Sequence, residues 1–248
     1  MNVIGVIPAR LRSTRLPNKL IRKILGKPII QWTWERAKQS ILLDRLVIAC
    51  DSEEIESIAK GFGGEVIFTS PEHISGTDRI AEVVREIDVK IVINIQGDEP
   101  LIHPSVIDEL ASCMLQDKTL VMATVKKRIE NDEEISDPNV VKVVTDKNNF
   151  ALYFSRFPIP YNRDRREEIR YYKHIGIYAY TKDFLYTFKN LPKSYLEERE
   201  KLEQLRAIEA GYKIKVIETN FDSYGIDVEE DLEKVEKILR KELLPPKT

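Results

Sequence analysis

Val3-Ile4-Gly5-Val6-Ile7, followed without a break by Pro8-Ala9-Arg10-Leu11-Arg12-Ser13-Thr14-Arg15-Leu16-Pro17-Asn18-Lys19, decides the class of this fold. A run without polar alternation reads as a strand buried on both faces, the pattern of a parallel sheet. The stretch rich in cations and hydroxyls that follows reads as the loop leaving the strand's carboxyl end. Open α/β folds bind ligands there, and the chemistry of this loop suits a polyphosphate. Seven basic residues and no Asp or Glu precede Glu35, and removing their +7 from the formal total of −2 leaves the rest of the chain at −9. The positive charge is therefore local. That disfavours a general nucleic-acid binder, whose electrostatic footprint tilts a whole domain. Solubility alone would spread Lys and Arg over helix faces, whereas Arg10, Arg12 and Arg15 crowd one loop.

Outward from that strand, short apolar runs alternate with helical patterns, the order expected of βαβ units. Ile29 to Ser40 reads as a helix and Arg45 to Cys50 as a second buried strand. Asp51-Ser52-Glu53-Glu54 caps a helix that stops near Gly61, Gly63 and Gly64, and Glu65 to Phe68 is a short strand. Ser75-Gly76-Thr77-Asp78-Arg79 opens another helix, Lys90 to Ile95 is the next strand, and Pro104 stands in the first turn of a helix over Val106 to Leu115. After Val125 the rhythm changes. Val140 to Thr145, Ala151 to Ser155 and Tyr171 to Tyr180 are strand-like with fewer helices between them, the first two joined by the turn Asp146-Lys147-Asn148-Asn149. A helix from Leu196 to about Glu209 ending at Gly211, a strand from Ile214 to Ile217, and a last helix from near Val228 to before Pro245-Pro246 complete the chain.

The expected architecture is α/β: a Rossmann-like open, mostly parallel sheet flanked by helices, in a single domain over residues 1–248. Residues ~126–195 form a smaller, partly antiparallel excursion, a candidate surface for self-association. A hydrophobic fraction of 42% and a charged fraction of 32% fit a well-folded chain of 248 residues. No run approaches the ~20 apolar residues of a membrane span, and no cationic, apolar, small-residue leader pattern opens the chain, so a cytoplasmic location without membrane contact is expected. Cys50 and Cys113 are too few and too isolated for a disulfide framework or a zinc site.

Two acidic turns carry candidate chemistry. Gln96-Gly97-Asp98-Glu99-Pro100 follows an apolar strand, so Asp98 should stand at the sheet's carboxyl edge. A carboxylate facing a polyphosphate is repulsive unless a cation lies between, and Mg²⁺ takes one or two carboxylates together with phosphate oxygens. An ordinary acidic turn explains Asp98 about as well. Gly225-Ile226-Asp227 offers a second carboxylate, although Asp227 ahead of Glu229-Glu230-Asp231 also reads as a simple helix cap. Ser75 is likewise either a cap or, with Gly76 and Arg79, a clasp for a base or ribose.

Together, Ile7-Pro8-Ala9-Arg10, Ser13-Thr14-Arg15-Leu16-Pro17, Lys19, Ser75-Gly76-Thr77-Asp78-Arg79, Asn94-Ile95-Gln96-Gly97-Asp98-Glu99-Pro100, His174-Ile175-Gly176-Ile177-Tyr178, Leu202-Glu203-Gln204-Leu205-Arg206 and Gly225-Ile226-Asp227 resemble the 3-deoxy-manno-octulosonate (Kdo) cytidylyltransferase family. The match is ordered and spans nearly the whole chain. It implies a nucleotidyltransferase that converts CTP and Kdo to CMP-Kdo and pyrophosphate, dependent on Mg²⁺, in lipopolysaccharide biosynthesis, and working as a homodimer. The sugar's anomeric hydroxyl would attack the α-phosphorus in line. By motif position, Arg10 and Lys19 would hold the triphosphate, Asp98 and Asp227 would ligate Mg²⁺, and Ala9, Ser13, Ser75, Arg79 and Gln96 would meet the nucleotide. For the sugar the resemblance points to Arg156, Arg163, His174, Tyr178, Glu203 and Gln204; a cation for the carboxylate and hydrogen-bonding groups for the hydroxyls are what such a ligand requires. Core packing of His174 with Tyr178, or a solvated helix face for Glu203 and Gln204, is the plain alternative.

Four residues, at three places in the chain, depart from the family pattern. Asn18 stands where Gly is usual, and Asn is the next-best residue for a left-handed backbone. Leu20 replaces the usual Pro. Val228-Glu229 replaces Thr-Pro after Asp227 and removes a pre-set helix start. The same chemistry on another acidic sugar, sialic acid or 8-amino-Kdo, is the nearest rival reading. A nicotinamide oxidoreductase is disfavoured by the absence of Gly-x-Gly-x-x-Gly in the first turn, and a P-loop NTPase by the absence of Gly-Lys-Ser/Thr anywhere. A catalytically silent nucleotide-binding module is the third class.

Overall fold

The amino-terminal apolar run forms a strand, β1 (Val3–Ala9), whose residues are almost all buried. The computed structural model describes residues 1–11, 13, 15–164 and 169–243. Arg12, Thr14, Pro245-Pro246 and part of the charged stretch between Pro158 and Arg170 lie outside the described residues. The chain forms two compact units, Met1–Asp108 with Asp222–Thr248, and Glu109–Phe221.

In the first unit, β1 is followed by a small hairpin, β2 (Lys23–Ile24) and β3 (Lys27–Pro28), turned by Leu25 and Gly26 at φ 50° and 83°. Then come α1 (Ile29–Ala37), β4 (Arg45–Cys50), α2 (Glu53–Gly61), β5 (Glu65–Phe68), α3 (Gly76–Val83), β6 (Ile91–Asn94) and α4 (Pro104–Gln116), which carries the chain into the second unit. The strands lie in the order β6-β1-β4-β5 and all pairs are parallel, with Ile4 opposite both Arg45 and Val92. Parallelism has one decisive consequence. Every strand's carboxyl end opens on the same edge, so the loops after β1, β4, β5 and β6 converge there. The helix starts agree with their caps: Ser52 accepts from Ile55 N at 3.2 Å, and Ser75 forms a capping box with Asp78.

The second unit contains β7 (Met122–Arg128), α5 (Glu133–Ser136), β8 (Lys142–Thr145), β9 (Ala151–Ser155), β10 (Tyr172–Thr181), α6 (Lys182–Asn190), α7 (Tyr195–Glu200), α8 (Leu205–Glu209) and β11 (Lys215–Glu218). Here β7 pairs antiparallel with β10 and parallel with β11, while β8 pairs antiparallel with β10 and β9. The antiparallel pairing expected within ~126–195 is present. Strand β7 gave no readable signal because Lys126 and Lys127 occupy buried positions in it; the Lys126 ammonium lies 4.3 Å from the Tyr172 ring centre and donates to Thr145 Oγ1 at 3.2 Å. The single helix expected over Leu196 to Glu209 is instead two. Lys201 takes a left-handed conformation, φ 56°, and Arg206 returns a bidentate ion pair to Glu197 at 2.8 and 2.5 Å, folding α8 back on α7. No Gly or Pro marks that break.

The chain then re-enters the first unit and ends in α9 (Glu229–Leu243), acidic in its first turn and basic in its last, as the helix dipole favours. Leu232, Val235 and Leu239 of α9 pack with Leu16, Ile24, Ile29, Trp32, Leu101 and Ile226. Leu16 belongs to the basic loop, so the last helix helps to hold that loop. Among the described residues, no helix is long and apolar enough to cross a membrane.

Candidate active site

The converging loops of the first unit enclose a cleft of about 290 Å³. Ala9, Arg10, Ser13, Lys19, Ser75, Arg79, Gln96, Asp98 and Asp227 all line it, with Arg15, His73 and Ile74. Each reaches the cleft for a local reason. Ala9 ends β1, and Asn18, at φ 55°, turns the loop so that Lys19 begins a short 3-10 turn with its side chain inward. Ser75 is the cap of α3, and Asp98 lies in the turn after β6. That turn is close-packed: a Cβ on Gly97 would come within 3.2 Å of Pro8 O, and Thr33 Oγ1 donates to Gly97 O at 3.0 Å. Asp227 arrives from the distant carboxyl-terminal segment because Ile226, fully buried, donates its N–H to Asp98 O at 3.0 Å.

Lys19 is the hub. Its ammonium donates to Asp98 Oδ2 in a short contact and to Asp227 Oδ1 at 3.1 Å, and Arg15 pairs with Asp227 Oδ2 at 2.9 Å. Burial works against the Lys19 charge, but Asp98 and Asp227 outweigh it and hold its pKa above the ordinary value. Two carboxylates touching one ammonium are no farther apart than two hydrogen bonds allow. Glu99, beside Asp98, takes the Ser223 hydroxyl hydrogen bond, and its pKa is pushed up to about 8, first by burial and then by Asp98. It therefore adds little negative charge at neutral pH. Arg79, 3% exposed, gives its guanidinium to Thr69 Oγ1 and to Asp51 Oδ2 at 2.8 Å, and Asp51 also accepts Leu11 N at 3.1 Å. It braces the loop after β1 as well as lining the cleft. Gln96 donates to Asn94 Oδ1 at 2.9 Å.

The residues expected for the sugar lie in the second unit. His174 and Tyr178 are four apart on β10, which in a regular strand would separate them by about 13 Å. Their rings are 5.4 Å apart, because β10 bulges between Ile175 and Tyr178, and Thr124 Oγ1 donates to Ile177 O at 2.8 Å inside the bulge. With that proton committed, the Thr124 hydroxyl accepts from His174 Nε2 at 2.9 Å, which leaves Nδ1 as an acceptor. Enclosure pushes the His174 pKa down to about 3, so the ring is neutral. Burial and the Glu203 charge raise the Tyr178 pKa, so its hydroxyl keeps its proton. Gln204, 3% exposed, has a buried Nε2 with no hydrogen-bond partner among the described residues. Such an orphaned donor is unusual without a ligand to meet it. Arg156 donates from Nε to Glu200 O at 2.7 Å and from Nη1 to Pro138 O at 2.8 Å. Arg163 is exposed, with no ion pair to a described residue.

Sequence reasoning missed Arg15 as an ion partner of Asp227, His73, Thr33, Glu99 with Ser223, and Glu200. Arg15 stood in the quoted loop, and the spacing of His73 from Ser75 was visible. The others are buried or half-buried partners whose roles arise only from contacts between distant segments.

The sequence model of the family described as Cytidylyltransferase matches residues 4–214. The chain is 48% identical to the 3-deoxy-manno-octulosonate cytidylyltransferase of Solibacter usitatus (strain Ellin6076), over 98% of this chain and 96% of the relative, and 48% identical to that of Chloroherpeton thalassium (strain ATCC 35110 / GB-78), over 98% and 100%. Among solved structures it is similar to a CMP:2-keto-3-deoxy-manno-octonic acid synthetase complexed with CTP, at 43% identity and TM-score 0.93, covering 98% of this chain and 100% of that one. A cytidylyltransferase of Leptospira borgpetersenii, 18% identical at TM-score 0.64, shares the fold. A parallel sheet with its loops closed around one cationic cleft, matched over nearly its whole length by such relatives, places this chain in the 3-deoxy-manno-octulosonate cytidylyltransferase family.

Proposed function

We propose that this chain transfers the cytidylyl group of CTP to Kdo, forming CMP-Kdo and releasing pyrophosphate. The observation that carries the reading is the cleft at the carboxyl edge of a parallel sheet, where Arg10, Arg15 and Lys19 face Asp98 and Asp227, in a chain so similar to a synthetase complexed with CTP. The divalent ion expected with this chemistry fits the residues present: two carboxylates lie within reach of a single ammonium, and hard oxygen donors suit Mg²⁺. Among the described residues no group of three or more His, Cys, Asp or Glu could hold a metal. Asp98 and Asp227 would hold the ion, which when bound screens phosphate charge and activates the attacking oxygen.

The chain's own groups do the rest. Lys19 and Arg10 grip the triphosphate and stabilise charge as pyrophosphate departs. Ser75, Gln96 and the backbone after β1 orient the nucleoside. In the second unit, Arg156 takes the sugar acid's carboxylate, while neutral His174, Tyr178, Glu203 and the orphaned Gln204 amide take hydroxyls. A cytoplasmic homodimer serving lipopolysaccharide synthesis completes the reading.

Pyrophosphate release with CTP and a panel of Kdo, sialic acid and 8-amino-Kdo, with and without Mg²⁺, tests it. Turnover with Kdo that stops in excess chelator and returns with Mg²⁺ is expected. Turnover with another acid and none with Kdo would reject the substrate, and undiminished turnover in chelator would reject the ion. Sedimentation velocity checks the dimer.

A further inference from the structure

Arg156 is held in an unusual way. Its guanidinium donates to two neutral carbonyls, Glu200 O and Pro138 O, and forms no ion pair with a described carboxylate. The Glu200 carboxylate binds elsewhere on the same strand end, accepting Arg156 N at 2.9 Å and Ser155 Oγ at 2.7 Å. One residue thus fixes both the backbone and the side chain of Arg156. Glu200 ends α7, where carbonyls lack helical partners and carry the negative end of the dipole, so its C=O is a ready acceptor for a cation. The second acceptor is equally braced. Lys142, fully buried, donates to Asp137 O at 2.8 Å and Val140 O at 2.6 Å, which holds the loop carrying Pro138. A guanidinium aimed by neutral groups keeps its charge for an incoming anion, whereas a direct carboxylate partner would compete with that anion. The connection from Glu200 to Gln204 also presents Glu203 and the Gln204 amide, whose Nε2 meets no partner among the described residues.

We propose that Glu200 is a positioning residue for the sugar acid: through the end of β9 it orients Arg156 to bind the substrate carboxylate without neutralising it. This rests on the role given to Arg156 above.

Steady-state kinetics on the full chain test it, with CTP and Kdo varied in turn at saturating Mg²⁺, for Glu200→Ala, Glu200→Asp, Glu200→Gln, Arg156→Ala and the double variant Glu200→Ala/Arg156→Ala. Loss of an oriented charge-assisted contact should raise KM for Kdo about tenfold or more in Glu200→Ala while KM for CTP stays within about twofold. Glu200→Gln, whose oxygen still accepts Arg156 N and whose amide can donate to the Ser155 hydroxyl, should recover most of the affinity. The double variant should be no worse than Arg156→Ala. Should Glu200→Ala fail to fold, Glu200→Asp decides, since it keeps the charge but is too short for both donors, and KM for Kdo should still rise by about threefold or more. The inference is overturned if KM for Kdo is unmoved, if both KM values rise together, or if the Glu200 and Arg156 effects multiply. An Arg156→Ala variant with unchanged KM for Kdo would instead overturn the role given to Arg156, a distinguishable failure.

Discussion

Lys19 joins carboxylates from two distant segments of the chain, and its replacement shows how much depends on one charge. In Lys19→Met, Asp98 and Asp227 would face each other with, among the described residues, only the Arg15 ion pair on Asp227 to offset them, and the phosphates would lose a donor. We expect kcat/KM for CTP to fall about 10²–10³-fold, mostly in kcat, by pyrophosphate release; a loss below tenfold would reduce Lys19 to a structural linker. His174 offers a different readout. Its folded pKa, about 3, lies below the ordinary 6.5, so the unfolded chain takes up a proton first and stability falls as pH drops from 6.5 toward 3. At pH 5 that amounts to about 2 kcal/mol from this ring, somewhat less for its residual exposure. Urea unfolding at pH 7.5 and pH 5 should show a smaller drop for His174→Gln than for the parent; equal drops would mean the ring is not held neutral.

At the scale of elements, short devices set where functional groups stand. Ser75 caps α3 through its capping box and also lines the cleft, so Ser75→Ala should cost about 1 kcal/mol and raise KM for CTP together. Thermal unfolding alongside kinetics separates these effects, and an unchanged melting temperature would show that the cap is dispensable. The α7–α8 corner depends on a largely buried pair, Arg206 with Glu197, and Arg206 also lies 5.4 Å from the Phe188 ring centre. Removing one partner strands the other's charge, so Arg206→Met should destabilise by about 3–5 kcal/mol in denaturant titration. A cost under 1 kcal/mol would mean the corner stands without it. This corner was illegible beforehand because Lys201 carries no mark of a left-handed residue, whereas the ends of α2 and α3 announced themselves through Ser52 and Ser75.

For the whole molecule, the return of the chain at Asp222 into the first unit completes the cleft. Ile226 is fully buried, bonds Asp98 O, and precedes Asp227. Ile226→Ala keeps the backbone bond to Asp98 O but empties the packed site beneath Asp227, so it should cost about 2–4 kcal/mol and, by loosening the seat of that carboxylate, raise the Mg²⁺ concentration needed for half-maximal activity. Unfolding together with a Mg²⁺ titration checks this; destabilisation with an unchanged Mg²⁺ requirement would uncouple the anchor from the carboxylate.

Local patterns alone determined the alternation of strands and helices through the first unit, the caps at Ser52 and Ser75, and the placing of basic and acidic loops at strand ends, because burial periodicity and capping are written in neighbouring residues. Ordered motifs also determined the family. Only the tertiary structure decided that Lys19 would bridge Asp98 and Asp227, that a bulge would bring His174 against Tyr178, and that Glu200 would hold Arg156. Strand β7 belongs with these, its lysines hidden among partners from other segments. Contacts between distant segments depend on register and closure, and a local pattern carries no information on either until the chain has folded.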